Sequence, residues 1–110
     1  MLGRQQLPGI VSWELPYYAV IFTSKLKEES AAYAAMAVQM EALCKEQSGF
    51  LGMDHARSEM GITVCYWDSL ASIEDWKNNK VHLQAQELGK NEWYQSYVVR
   101  ICKIEKEYGK

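Results

Sequence analysis

Clustered positive charge is missing from this 110-residue chain. Its 12 Lys and Arg are outnumbered by 14 Asp and Glu. Lys25 and Lys27 run straight into Glu28 and Glu29, and the Lys-rich end is interleaved with Glu105 and Glu107. Nucleic-acid binding needs grouped cations to neutralise phosphates, so DNA and RNA are not expected partners. Long apolar runs are missing as well. A membrane span takes roughly 18 to 20 consecutive apolar residues, and no stretch here approaches that, so no membrane partner is expected. Residues 1–16 do not read as a secretion signal, since Arg4, Gln5, Gln6, Pro8 and Pro16 surround one apolar pair, Ile10-Val11. They are expected to form a loosely tied arm before a domain spanning 17–110, in a cytoplasmic protein.

Cysteine is sparse and badly spaced for chemistry. Cys44, Cys65 and Cys102 form no CxxC, and their odd number argues against a disulfide framework. With only His55 and His82 to add, no metal-ligand spacing exists, and no metal is expected. No glycine-rich loop follows a strand, so nucleotide and flavin fingerprints are absent. No Ser/His/Asp or Cys/His arrangement can be assembled either.

What the chain does have is aromatic and aliphatic surface. Hydrophobic residues make up 48% of it, with four Trp and seven Tyr. At this size one domain is expected, and a monomer buries roughly two thirds of the surface of its unfolded chain. So much aromatic area needs a core, a pocket or a subunit interface to cover it.

The apolar periodicity orders the elements. Tyr17 to Thr23 is rich in β-formers and apolar at both parities, which predicts a strand covered on both faces. Charged residues 25–29 then lead to Ser30, a helix N-cap. Tyr33, Met36, Ala37, Met40, Leu43 and Cys44 mark one face of a helix running to Gln47. Ser48-Gly49 stops it, with Gly49 suited to a left-handed conformation. Phe50 to Arg57 and Ile62 to Trp67 predict an antiparallel hairpin across a short connection. Ser69 caps a second helix that the Asn78-Asn79 pair interrupts before residues 81–88. Gly89 marks another interruption, with a last helical turn over 91–94. Tyr97 to Lys106 is the final strand, with Tyr97, Val99 and Ile101 on one face and Val98, Cys102 and Ile104 on the other.

The order is βαββαβ, an α+β fold of ferredoxin-like type: a four-stranded antiparallel sheet with both helices on one face. The other face is apolar too and no further element is in hand to cover it. A second copy pressed sheet to sheet is the expected cover, which predicts a homodimer.

The run from Pro16 to Ser24, the turn Gly49-Phe50-Leu51-Gly52, the segment Gly61 to Ser69, and then Trp76, His82 to Gln86, Gly89, Trp93-Tyr94 and Val99-Arg100 together resemble the antibiotic biosynthesis monooxygenase domain family, in an uncharacterised bacterial branch. The resemblance extends from Pro16 to Tyr108. It implies a dimeric α+β barrel, with a ligand pocket between the sheet and the helices of each subunit. Activities in the family range from oxidising aromatic polyketides with O₂ and no prosthetic group to haem degradation. An oxygenase of this sequence is expected to use no cofactor, the substrate supplying the electrons.

His82 is the candidate catalytic residue, because an imidazole near neutrality can take a proton from a phenolic ring. The alternative is a histidine that bonds a backbone carbonyl at the helix break. Trp76, Gln86, Tyr66, Trp67 and Arg100 are the candidate pocket residues. Arg100 interrupts an apolar strand, and a buried Arg needs a counter-charge or an anionic ligand. In haem-degrading relatives a helix His and a first-strand Asn accompany a Trp placed like Trp76. Here Gln86 holds the His position and the first strand has no Asn, which disfavours haem. The expected function is a cofactor-independent monooxygenase acting on a small aromatic or quinol-like compound. The alternative is a non-catalytic dimeric module binding a small apolar or aromatic molecule.

Overall fold

The computed structural model describes the backbone at residues 4–7 and 10–110, and the side chains from Trp13 onward. Two short strands come first, β1 (Arg4–Leu7) and β2 (Ile10–Trp13), paired antiparallel with Arg4 opposite Trp13. The main domain follows as β3 (Tyr17–Leu26), α1 (Ala31–Lys45), β4 (Phe50–Arg57), β5 (Gly61–Trp67), α2 (Leu70–Lys77), α3 (Lys80–Leu88), a π-helical turn (Gly89–Trp93) and β6 (Tyr94–Ile104). The sheet order is β4-β5-β3-β6, every neighbour antiparallel. This is the ferredoxin-like α+β arrangement that the sequence order predicts.

Local chemistry sets the boundaries. Ser30 is extended and its hydroxyl accepts the Tyr33 amide at 3.1 Å, starting α1. Gly49 takes a φ of 86°, and a Cβ there would collide with the Ser72 and Asp68 side chains, so only glycine can make this turn into β4. Asn79 ends the break after α2 by accepting the amides of Val81 at 3.0 Å and His82 at 3.2 Å.

Four expectations are corrected. The first strand continues through Lys25 and Leu26, which pair with Ser96 and Tyr94 across a bulge, because its edge neighbour still offers backbone partners there. The final strand therefore begins at Tyr94 rather than Tyr97. The turn before it is π-helical over Gly89–Trp93 rather than a last turn over 91–94. Within the 1–16 arm a hairpin forms, which period-2 alternation too short to detect had hidden; residues 1–3 and 8–9 of that arm lie outside the described residues.

The core lies between the sheet and the helices. Cys44, Trp67, Ile73 and Trp76 are buried there, packed against Tyr18, Val20, Met40, Leu43, Phe50, Met53 and Cys65. Ala37, expected in the α1 stripe, is exposed. The helices stop short of β6: Val99 and Ile101, which pair with Phe22 and Val20 on the helix side, stay 48% and 52% exposed. The opposite face is partly covered from within the chain. Trp13 lies 5.2 Å from Tyr17 and 5.3 Å from Tyr66, ring centre to ring centre. Gly52 sits beneath its indole, 3.0 Å from where a Cβ would stand, so a glycine at the β4 bulge provides the notch. Among the described residues no helix is long and apolar enough to cross a membrane.

Candidate functional site

An unbroken aromatic series runs from the sheet into the second helical segment. Phe50 meets Trp67 edge-on at 5.5 Å, Trp67 stacks on Trp76 at 6.4 Å, and Trp76 stacks on the His82 imidazole at 4.1 Å with 11° between planes. Strand β5 delivers Trp67 at its last residue. Helix α2 delivers Trp76 by the i, i+3 spacing from Ile73, and α3 delivers His82 in its first turn.

His82 Nδ1 lies 3.0 Å from the backbone carbonyl of Trp76. A carbonyl oxygen only accepts, so Nδ1 carries the proton and donates, leaving Nε2 with its lone pair. Burial pushes the imidazole pKa below its ordinary value, and the bond to the Trp76 carbonyl opposes this only in part. The ring is thus neutral near pH 7, fixed in one tautomer and one orientation. Gln86, one turn on, donates to the Lys77 carbonyl at 3.0 Å and lies 3.4 Å from His82 Nδ1. Together His82, Gln86 and Asn79 close the break between α2 and α3: His82 and Gln86 satisfy carbonyls that the end of α2 leaves orphaned, and Asn79 accepts amides at the start of α3.

Trp67 is fully buried and its Nε1 has no hydrogen-bond partner. A buried unpaired donor of this kind costs stability.

The other two expected pocket residues lie elsewhere. Tyr66 points from β5 to the opposite face, its hydroxyl donating to Asp54 Oδ2 at 2.8 Å. Burial first, then that bond, pushes its pKa up to about 12. Arg100 pairs with Ile21 on the same far face and is exposed. Its expected burial is corrected: β6 is an edge strand, and no element of this chain packs on its far face at Arg100, which is exposed. Among the described residues the two ion pairs join Glu41 to Lys45 and to His55, and neither uses Arg100. The six expected residues therefore divide four and two, Trp67, Trp76, His82 and Gln86 standing together.

Among the described residues two of the surface recesses stand out, and none of those six lines either. One, of about 480 Å³, lies on the outer side of α3 at Leu83 and Leu88. The other, of about 440 Å³, lies beside the first turn of α1, between Leu26, Tyr33 and Arg57. The second has an aromatic surround: the sequence offers Trp93 and Tyr94 as pocket aromatics but does not join them to Tyr33 and Phe22. Tyr33 meets Trp93 and Tyr94, and Tyr94 meets Phe22 and Tyr97, all within 6 Å between centres. Residues 22, 33, 57 and 94 share no local pattern, so nothing short of the fold joins them.

No family model matches the chain. The uncharacterized protein YqjZ of Bacillus subtilis (strain 168) is 43% identical over 96 residues, covering 86% of this chain and 84% of that protein. The chain belongs to the YqjZ family. At this identity, over nearly the whole length of both chains, YqjZ and this protein share a fold. Among solved structures, Rv0793 from Mycobacterium tuberculosis superposes with a TM-score of 0.74 at 13% identity, covering 84% of this chain and 99% of that one. SnoaB, a cofactor-independent oxygenase from Streptomyces nogalater, gives 0.72 at 10% identity, covering 86% and 98%. An antibiotic biosynthesis monooxygenase gives 0.69 at 12% identity, covering 77% and 95%. The fold of this YqjZ-family chain is thus the one expected from the sequence, that of antibiotic biosynthesis monooxygenase proteins. At such low identities the likeness concerns fold alone.

Proposed function

We propose that this protein is a cofactor-independent monooxygenase-like enzyme acting on a small aromatic or quinol-like compound, working as a homodimer in the cytoplasm. The observation that carries the reading is the state of His82: neutral, held through Nδ1, with Nε2 left to accept a proton. A general base must have its proton-accepting atom free and its ring oriented by a partner on the other nitrogen. Proton removal from a phenol or quinol raises the electron density of the ring, which then reduces O₂ directly, so no prosthetic group is required. Trp76, stacked on the imidazole, holds the base in its orientation. The fold shared with SnoaB, itself a cofactor-independent oxygenase, supports the same class. Haem degradation is disfavoured, because Gln86 stands where a ligating His would be needed and is engaged at the helix break. Unpaired thiols at Cys44, Cys65 and Cys102 fit a reducing compartment.

One observation favours the second reading, a non-catalytic dimeric module binding a small apolar or aromatic molecule: neither recess reaches His82. Two variants separate the readings. His82→Asn keeps a side-chain N–H for the Trp76 carbonyl and removes the base, whereas His82→Ala removes both. With an electron-rich hydroquinone, oxygen consumption is expected to fall by about 10²–10⁴-fold in both variants, while only the alanine lowers the melting temperature appreciably. Turnover retained by His82→Asn would sink the catalytic role, and ligand binding without turnover in the parent chain would favour the binding module.

A further inference from the structure

We propose that the recess beside the first turn of α1 binds a small aromatic carboxylate, with Arg57 as its anion-holding group. This site is separate from His82 and does not depend on the oxygenase reading.

Arg57 ends β4, and three contacts hold its guanidinium in place. It donates to the hydroxyl of Ser24, a side chain that is itself only 2% exposed. Its Cζ stands over the Tyr33 ring, 5.7 Å from the centre. It also lies across Gly61, where any Cβ would collide with the guanidinium. Arg57 and Gly61 face each other across the β4–β5 pair, so the glycine makes room for the fork.

Arg57 is exposed, and among the described residues no carboxylate pairs with its guanidinium. Both ion pairs among the described residues use other cations, Lys45 and His55. The fork has five N–H donors in a plane that matches a carboxylate two bonds at a time. Its orientation is already set, so an anion that docks there loses little further freedom.

The recess supplies the rest of the ligand's description. It is an open recess of about 440 Å³, wide enough to seat one small molecule against its wall. Leu26, Ala31, Ala34 and the Tyr33 ring form its apolar wall, with Arg57 at one side. An apolar wall with a single fixed cation selects a flat apolar body that ends in an anion. Glu29 also lines the recess and is exposed. Its charge opposes an anion, which gives the proposal a second test of opposite sign.

The test compares benzoate with benzamide, its uncharged isostere, by amide chemical-shift titration of the full chain. Saturable shifts are expected around Ser30 to Ala34 and at Arg57. Charge-assisted hydrogen bonds should make benzoate about ten-fold tighter or more. Arg57→Gln should bring benzoate down to the benzamide level. Glu29→Gln should tighten benzoate about two- to five-fold and leave benzamide unchanged. The exposed Glu29 variant keeps the test open even if loss of Arg57 disturbs the hairpin. Equal affinities for the two probes, shifts confined to other surfaces, or benzoate binding indifferent to Glu29→Gln would each overturn the proposal.

Discussion

The imidazole of His82 is anchored through Nδ1 and half-buried on Trp76, so folding favours its neutral form. Its folded pKa lies below the value of about 6.5 that it has in the unfolded chain. Between the two values the unfolded chain takes up a proton that the folded chain refuses. The stability this group contributes is therefore fully present above pH about 6.5 and is lost as pH falls through it toward the folded pKa. The melting-temperature gap between the parent chain and His82→Ala should narrow from pH 7.5 to pH 5.5. An unchanged gap would show that the ring is not held neutral. The same residue illustrates what a sequence can say at this scale. Its type pointed to proton chemistry, and its position at a helix interruption pointed to a carbonyl partner. The identity of that carbonyl, and the flat stack on Trp76, required the fold of α2 against α3.

At the scale of elements, most boundaries follow from single residues acting on backbone groups next to them. Ser30, Ser69 and Asn79 each accept amides of the following turn, and Gly49 alone carries the positive φ needed at the end of the α1 connection. The two serine caps and the glycine turn were readable because such signals are local, whereas Asn79 was readable only as part of an interruption. The ends of β3 and β6 were not, since pairing across the Lys25/Leu26 bulge depends on a partner some 70 residues away. Asn79 binds two amides of α3, one of them that of His82 itself. Asn79→Ala should cost about 1 kcal/mol in urea denaturation with an unchanged slope, and Asn79→Asp should restore most of it. A loss below a few tenths would mean that tertiary packing, not the cap, fixes the start of α3.

For the whole molecule, the decisive surface is the sheet face away from the helices. Trp13 covers one end of it, over Tyr17, Tyr66 and Gly52. At the other end Ile62 and Val98, which flank Thr23 on that face, remain 45% and 46% exposed. A homodimer would bury this open part, and an obligate sheet-to-sheet interface is expected to exceed about 2,000 Å² in total. Light scattering should give twice the chain mass of 12.7 kDa at micromolar concentration. Val98→Asp places a charge in that interface without touching the helix-side core, and it should shift the protein toward monomer with its circular dichroism intact. A monomeric parent chain would remove the dimer from the reading.

The sequence by itself determined the βαββαβ order, the antiparallel hairpin, the serine caps of α1 and α2 and the apolar stripe of α1 that reaches Cys44. Each of these rests on spacing along the chain: a period of 2 or 3.6, a cap next to its helix, a glycine at its turn. Only the tertiary structure decided which aromatic residues touch. Trp67, Trp76 and His82 form one series because α2 and α3 fold back over β5. Tyr66, although adjacent to Trp67 in the chain, falls on the other face because successive strand residues alternate sides. Arg100 proved exposed because it lies on the far face of an edge strand, where no element of the chain packs on it, and Arg57 met Ser24, Tyr33 and Gly61 only when β3, α1 and β5 converged on it. Periodicity assigns a side chain to a face. What lies against that face depends on long-range packing, which no local spacing encodes.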